Sequence, residues 1–147
     1  MNKIYVATSW RNPVQSYMVK ILKLHGHRVY DFREKGFHWN DIDTNWEYWE
    51  IEEYREYLDH YIAEKGFLQD FDAMKWADIF IGIQPFGRSA SIEMGWAAGQ
   101  GKKTILLLAD GEPELMVKIF DHICCNLDEV LNIIGRKENC NDKDKQN

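Results

Sequence analysis

The sequence predicts an α/β protein in which a parallel sheet of about five strands is covered by helices on both faces. Short apolar runs, such as residues 79–83, alternate along the chain with segments of helical periodicity. Strands that are apolar at nearly every position are typical of a parallel sheet buried on both sides. The 147 residues, 45% of them hydrophobic and 29% charged, are enough for one domain with its own core.

The strands and helices can be placed in order along the chain. Pro13 begins a helix in which Val14, Met18 and Leu22 share one face, and Gly26 ends it. Asn126 is placed to cap the last helix. The predicted strands are residues 3–8, 28–32, 78–83, 103–108 and 120–125, and the later helices are 67–76, 89–100, 112–118 and 127–134. Right-handed crossovers between such strands give a doubly wound, flavodoxin-like sheet.

An aromatic insert interrupts this alternation at about residues 37–65. Thr44 and Glu47 have the spacing of a capping box, which predicts a long amphipathic helix from Thr44 to Tyr61. Trp39 and Trp46 lie outside or at the edge of its periodicity, so either is a candidate to stack on a flat ring. We expect a single domain over residues 1–135, followed by a polar, flexible tail at 136–147.

Composition excludes several classes of function. The formal net charge of −6 and the absence of a basic stripe argue against a polynucleotide partner. No apolar run is long enough to cross a bilayer, and the first residues read as a strand instead of a signal peptide. The three cysteines form no disulfide framework, and no histidine has metal-ligand spacing. We expect a cytoplasmic protein with reduced thiols, no metal and no cofactor.

The most informative segment is residues 84–97, where a strand ends in a Gly/Ser loop and a helix begins. An anion could be bound at the helix N-terminus by Arg88, Ser89 and Ser91. Alternatively, the arginine is simply solvated in the loop and a serine caps the helix. Glu93 lies one turn beyond Ser89, and proximity to the positive helix end favours its ionised form. Its apolar neighbours indicate that this carboxylate needs a partner or a cleft.

Two further aspartates precede the third strand. Asp70 and Asp72 lie in the predicted helix of residues 67–76. Asp72 is a candidate substrate-binding residue, and by itself Asp70 is explained as a capping carboxylate near the helix start.

Three segments together resemble the nucleoside 2-deoxyribosyltransferase family and its nucleotide N-glycosidase relatives. They are the opening strand with Tyr5 and Trp10, Asp70 eight residues before Asp78, and the Glu-x-Gly-x-Ala pattern at residues 93–97. The resemblance implies that Glu93 attacks the anomeric carbon, Tyr5 touches it, Trp10 lines the base pocket and Asp70 lies near the leaving base. It also implies a homodimer or higher homo-oligomer whose subunits complete each other's sites.

One departure from the family pattern bears on the substrate. Free-nucleoside transferases have an aspartate shortly before the nucleophile, where this chain has Gly87, Arg88 and Ser89. This change resembles the relatives that accept a 5′-phosphate, so hydrolysis of a nucleoside 5′-monophosphate is the leading expectation and transfer between bases the second. Rival interpretations are an NAD-cleaving enzyme of similar fold, a non-catalytic nucleotide-binding module and a purely structural domain.

Overall fold

The sheet has five parallel strands, as the sequence predicts. The computed structural model describes residues 1–135. Its strands are β1 (Lys3–Ala7), β2 (Arg28–Tyr30), β3 (Ile79–Ile83), β4 (Lys103–Leu107) and β5 (His122–Cys124). They pair in the order β2-β1-β3-β4-β5. This order confirms the doubly wound, flavodoxin-like architecture.

Alternating side chains divide the core into two layers. The helices are α1 (Val14–Leu24), α2 (Ile51–Tyr57), α3 (Tyr61–Trp76), α4 (Arg88–Gly99) and α5 (Leu127–Ile134). Ile4, Val6 and Ile81 face the layer that α1 and α5 cover. Tyr5 and Phe80 face the opposite layer, under α3 and α4. Because successive strand residues point to opposite faces, these apolar strands supply both layers.

The predicted long helix of the aromatic insert is wrong. The chain forms 3₁₀ turns at Trp39–Asp41 and Trp46–Tyr48, and α2 ends before a separate helix begins at Tyr61. The Asp43 carboxylate accepts hydrogen bonds from the Asn45 amide and the Trp49 indole, at 2.9 and 2.8 Å. Such local side-chain bonds compete with helical ones, and Trp49 itself has extended backbone angles.

Other boundaries differ less. The helix expected at residues 67–76 begins at Tyr61 instead. In place of the helix expected at residues 112–118, the chain forms a 3₁₀ turn at Leu115–Ile119. The α5 prediction is correct, and Asn126 accepts the Glu129 amide at 3.0 Å. The predicted tail at 136–147 lies outside the described residues. Within residues 1–135 we find no helix with the length and apolar character needed to cross a membrane.

Candidate active site

A cavity opens at the point where the order of the strands reverses. The chain leaves β1 toward β2 on one side, whereas β3 pairs with β1 on the other. The loops that follow β1 and β3 therefore diverge and leave a crevice at the carboxyl ends of the strands, where open α/β sheets bind ligands. The cavity there measures about 370 Å³. It is lined by Thr8, Trp10, Phe32, Phe37, His38, Trp39, Asn40, Trp46, Gly66, Gln69, Asp70, Ser89 and Glu93.

Two buried polar side chains tie these loops together. The Thr8 hydroxyl donates to the Ile83 carbonyl at 2.8 Å. The Asn12 amide donates to the carbonyls of Ile83, Gln84 and Pro85, at 3.1 to 3.3 Å. Buried amides hold their geometry because a lost partner costs the full desolvation of the group. The loop carrying Trp10 is thereby held against the loop that leads to Glu93.

Two carboxylates face the cavity from different helices. Asp70 lies in the middle of α3, and Glu93 lies in the second turn of α4. Asp70 is therefore not the capping residue that a helix starting near Phe67 suggests. The structure brings it to Glu93 because α3 and α4 cover the same face of the sheet.

The surroundings of Glu93 favour its protonated form. Burial and the nearby Asp70 raise the pKa of Glu93 to about 8, although the Tyr5 hydroxyl beside it acts in the opposite direction. Burial and Asp70 together outweigh the positive N-terminus of α4, which by itself favours ionisation of Glu93. Burial likewise raises the pKa of Asp70, against the effect of a hydrogen bond from Tyr30. The pair therefore favours holding one proton near neutral pH.

Tyr5 lies beneath the carboxylates, almost completely buried. Burial, followed by the charges of Glu93 and Asp70, raises the pKa of its phenol far above the ordinary value. Its hydroxyl therefore keeps its proton and remains a hydrogen-bond donor toward Glu93.

Trp10 is held at the cavity wall by the segment that follows β2. Its ring packs edge-on against Phe32, with centroids 5.0 Å apart. The Arg33 guanidinium donates to the backbone carbonyls of Trp10 and Asn12, at 2.7 and 2.9 Å. A Cβ atom at Gly36 would overlap the Trp10 indole, so only glycine leaves room for this ring position. The Trp10 side chain keeps 44% of its surface exposed, on the open side of the cavity.

The aromatic insert forms the opposite wall. Trp39 and Trp46 both line the cavity, as their position outside the helical periodicity suggested. The Trp46 indole donates to Asn40 Oδ1 at 2.7 Å, and Trp39 packs edge-on against Trp49 with centroids 5.5 Å apart. A wall of fixed aromatic rings suits a flat heterocycle.

The N-terminus of α4 contributes only part of the predicted anion site to this cavity. Gly87 is the N-cap, and Ser89 lines the cavity one turn before Glu93. Arg88 is exposed and lies outside the cavity lining. The Ser91 hydroxyl donates to the Gly87 carbonyl at 3.0 Å, and Ser91 lines a second cavity of about 480 Å³ on the other side of α4.

Asp72 does not reach the site. It is exposed on α3 and forms an ion pair with Lys75 at 2.9 Å. Within residues 1–135 no group of three or more His, Cys, Asp or Glu side chains is placed to hold a metal ion.

Several residues of the site were not predicted from the sequence. Tyr30 donates a hydrogen bond to Asp70, and Thr8, His38, Asn40 and Gln69 line the cavity. A signal for Tyr30 existed, because a tyrosine near the end of the strand next to β1 can align with Tyr5. The cavity contacts of Gln69 follow from the packing of α3 and have no sequence signature.

Comparison with known proteins identifies the fold. No protein-family model matches the sequence, and no curated protein matches it. Among solved structures, a 2-deoxyribosyltransferase from the psychrotolerant bacterium Bacillus psychrosaccharolyticus is 23% identical with a TM-score of 0.61, over 86% of this chain and 88% of that chain. A CMP N-glycosidase from Clostridium botulinum is 21% identical with a TM-score of 0.53, over 89% and 96%.

A conserved protein from Enterococcus faecalis is 15% identical, with a TM-score of 0.53 over 84% of this chain and 82% of that chain. Identities this low show a common fold. The resemblance noted in the sequence is thus confirmed at the level of the fold. The chain has the fold of a 2-deoxyribosyltransferase and of a CMP N-glycosidase over most of its length.

Proposed function

We propose that this protein cleaves the N-glycosidic bond of a nucleoside or nucleoside 5′-monophosphate, with Glu93 as the nucleophile. The observation that carries the proposal is the meeting of Glu93 and Asp70 in one aromatic-lined cavity at the strand switch point. Two carboxyl groups on one cavity can divide the roles of nucleophile and acid. The aromatic walls accept the base, and no cofactor is needed.

In the first step the Glu93 carboxylate attacks the anomeric carbon. The bond from this carbon to the base nitrogen breaks, and its electron pair leaves with the base. Asp70, in its protonated form, transfers its proton to the departing base. The product is an ester between the sugar and Glu93, and Asp70 is left ionised.

In the second step water attacks the same carbon from the face that the base has left. The ester bond breaks and returns the carboxylate to Glu93, while the proton of the water passes to Asp70. A second base in place of water gives deoxyribosyl transfer. The first step starts with one proton on the two carboxyl groups, which is the state that their raised pKa values favour near neutral pH, and the second step restores it.

For the specific reaction we propose hydrolysis of a 5′-monophosphate ahead of transfer between bases. Ser89 faces the cavity at the N-terminus of α4, where unpaired amides favour an anion. Arg88 is exposed next to it and can turn toward a phosphate that extends from the cavity. The space beside Gly87 is empty, since a Cβ atom placed there would meet no neighbouring atom within 4 Å, so a ligand can approach the backbone at this point.

We further propose that the protein acts as a homodimer or higher homo-oligomer in the cytoplasm. Ile92, on the outer face of the helix that carries Glu93, is 72% exposed. Leu115, Met116 and Ile119 are also exposed and belong to the segment near the second cavity. A second copy of the chain that covered these side chains would lie next to α4, the helix that carries Glu93.

The test is release of free base from a panel of nucleosides, their 5′-monophosphates and NAD, measured by liquid chromatography. We expect wild type to release base from a nucleoside or monophosphate, and Glu93→Ala to abolish it. Glu64→Ala, an exposed glutamate on α3, is the matched control and should keep full activity. Full activity of Glu93→Ala, or absence of base release by wild type, would sink the glycosidase proposal. Nicotinamide release from NAD alone would favour the NAD-cleaving alternative.

The same panel tests the phosphate site. Arg88→Ala should raise KM for monophosphates by roughly tenfold, the loss of one charge-assisted contact, and leave free nucleosides unaffected. Arg55→Ala, on the exposed surface of α2, is the control. An unchanged KM for monophosphates would remove Arg88 from the site.

A further inference from the structure

A second tyrosine supports the site beside Tyr5. Tyr30 is the last residue of β2, and its hydroxyl donates to Asp70 Oδ1 at 2.7 Å. The strand register pairs Tyr30 with Tyr5 and Tyr5 with Phe80. The three rings stack across three strands, with centroids 5.4 and 4.9 Å apart. This stack leaves the Tyr30 ring little freedom to turn, so its hydroxyl has a fixed position under α3.

The two phenols serve different carboxylates. Tyr30 bonds Asp70 on α3, whereas Tyr5 lies beside Glu93 on α4. A hydroxyl that donates to a carboxylate stabilises its ionised form. Each phenol therefore acts on the ionisation of one of two carboxyl groups that share a cavity.

We propose that Tyr30 is a positioning residue that fixes the Asp70 carboxylate for proton exchange with the leaving base, and that Tyr5 and Tyr30 divide the two carboxylates between them. This inference rests on the proposed N-glycosidase reaction. Of the two forms that hold one proton, the reactive one carries it on Asp70. The hydrogen bond from Tyr30 stabilises the ionised Asp70 and so sets the share of this form. We expect Asp70 to dominate the first ionisation of the pair and Glu93 the second.

Other titratable groups act on the same site and stay constant in the variants. His38 lines the cavity from the aromatic insert. In addition to burial, the charges of Glu93 and Asp31 raise the pKa of the Tyr30 phenol, and the charge of Asp70 raises the pKa of Glu93. Replacing either tyrosine by phenylalanine removes one hydroxyl, preserves the ring stack and leaves these charges in place.

The experiment combines two pH titrations on wild type, Tyr30→Phe and Tyr5→Phe. One follows carbon-13-labelled Asp and Glu carboxyl groups by NMR, with the signals assigned from Asp70→Asn and Glu93→Gln. The other follows kcat/KM for base release. Tyr30→Phe should move the first ionisation and the acidic limb upward by about one pH unit, and leave the basic limb in place. Tyr5→Phe should move the second ionisation and the basic limb.

The control is Tyr17→Phe, on α1 at the opposite face of the sheet, which should move neither limb. Asp70→Asn replaces the other partner of the Tyr30–Asp70 hydrogen bond, and it should abolish the ionisation that Tyr30→Phe shifts. The proposal is overturned if Tyr30→Phe moves neither limb, or moves both equally. If wild type releases no base but the NMR shifts follow this pattern, the proposed function fails and the division of the carboxylates stands.

Discussion

We expect Glu93 to lower the free energy of unfolding at neutral and basic pH. Burial and Asp70 raise its pKa from 4.5 in the unfolded chain to about 8 in the folded protein. Between these values the folded protein binds a proton that the unfolded chain has released. The free energy of unfolding therefore falls as pH rises from 4.5 to 8 and is constant with respect to this group outside that interval. Glu93→Gln, which cannot ionise, lacks this fall.

The size of the effect follows from the pKa. Each pH unit in this interval costs about 1.4 kcal/mol, so the ceiling at pH 8 is about 5 kcal/mol. Glu93 keeps partial contact with solvent through the cavity, and we therefore expect Glu93→Gln to be more stable than wild type by roughly 2–3 kcal/mol at pH 8.5. The two proteins should be nearly equal at pH 4.5. Catalysis by the variant should be absent over the whole range.

Urea unfolding at pH 4.5, 6, 7 and 8.5 measures this difference directly. Glu64→Gln is the matched control, since it removes an exposed carboxylate from α3 and should leave the wild-type pH dependence unchanged. The reasoning is refuted if the difference between wild type and Glu93→Gln stays constant with pH, or if it grows toward acid. Either result would mean that Glu93 is ionised in the folded protein at neutral pH.

Three more perturbations test the support of the site and the proposed assembly. Gly36→Ala should displace Trp10 and raise KM roughly three- to tenfold, with kcat little changed. The control is Gly99→Ala, whose added methyl group meets no side chain and should leave KM unchanged. Equal KM values for the two variants would contradict the role of Trp10. Asn12→Ala should lower the free energy of unfolding by about 2–3 kcal/mol in urea titrations, because up to three loop carbonyls lose a buried donor; a loss below about 0.5 kcal/mol would contradict the link between the loops. Ile92→Glu should produce monomers in sedimentation velocity, whereas Ile51→Glu, at an isoleucine of α2 that is also largely exposed, should not; a monomeric wild type would refute the assembly.

The strands and most helices were predictable because their signals are local. Residues 79–83 are all apolar, which indicates a strand buried on both faces wherever it occurs. Pro13 and Asn126 mark helix starts by their own backbone and side-chain preferences. Parallel order followed from the alternation of strands and helices, since the crossover rule leaves few arrangements.

The aromatic insert was mispredicted because two local signals compete there. Helical spacing of the rings and a capping-box pair favoured one long helix. Asp43 instead bonds the Asn45 amide and the Trp49 indole, and the chain turns at both points. The free energies of such alternatives differ by little, so their balance depends on packing that the sequence pattern does not contain.

The sequence by itself determined the layered sheet, the loop-to-helix junction before Glu93 and a resemblance that singled out Glu93, Asp70, Tyr5 and Trp10. These depend on periodicity and on residue types at fixed spacing. The resemblance already implied that Asp70 and Glu93 share a site. The tertiary structure alone decided which helices bring them to one cavity, that Tyr30 bonds Asp70, and that Ser91 and Asp72 point elsewhere. Such contacts join β2 with α3, and α3 with α4, across dozens of residues. They arise from the order of the strands and the packing of helices on one face, which no local pattern encodes.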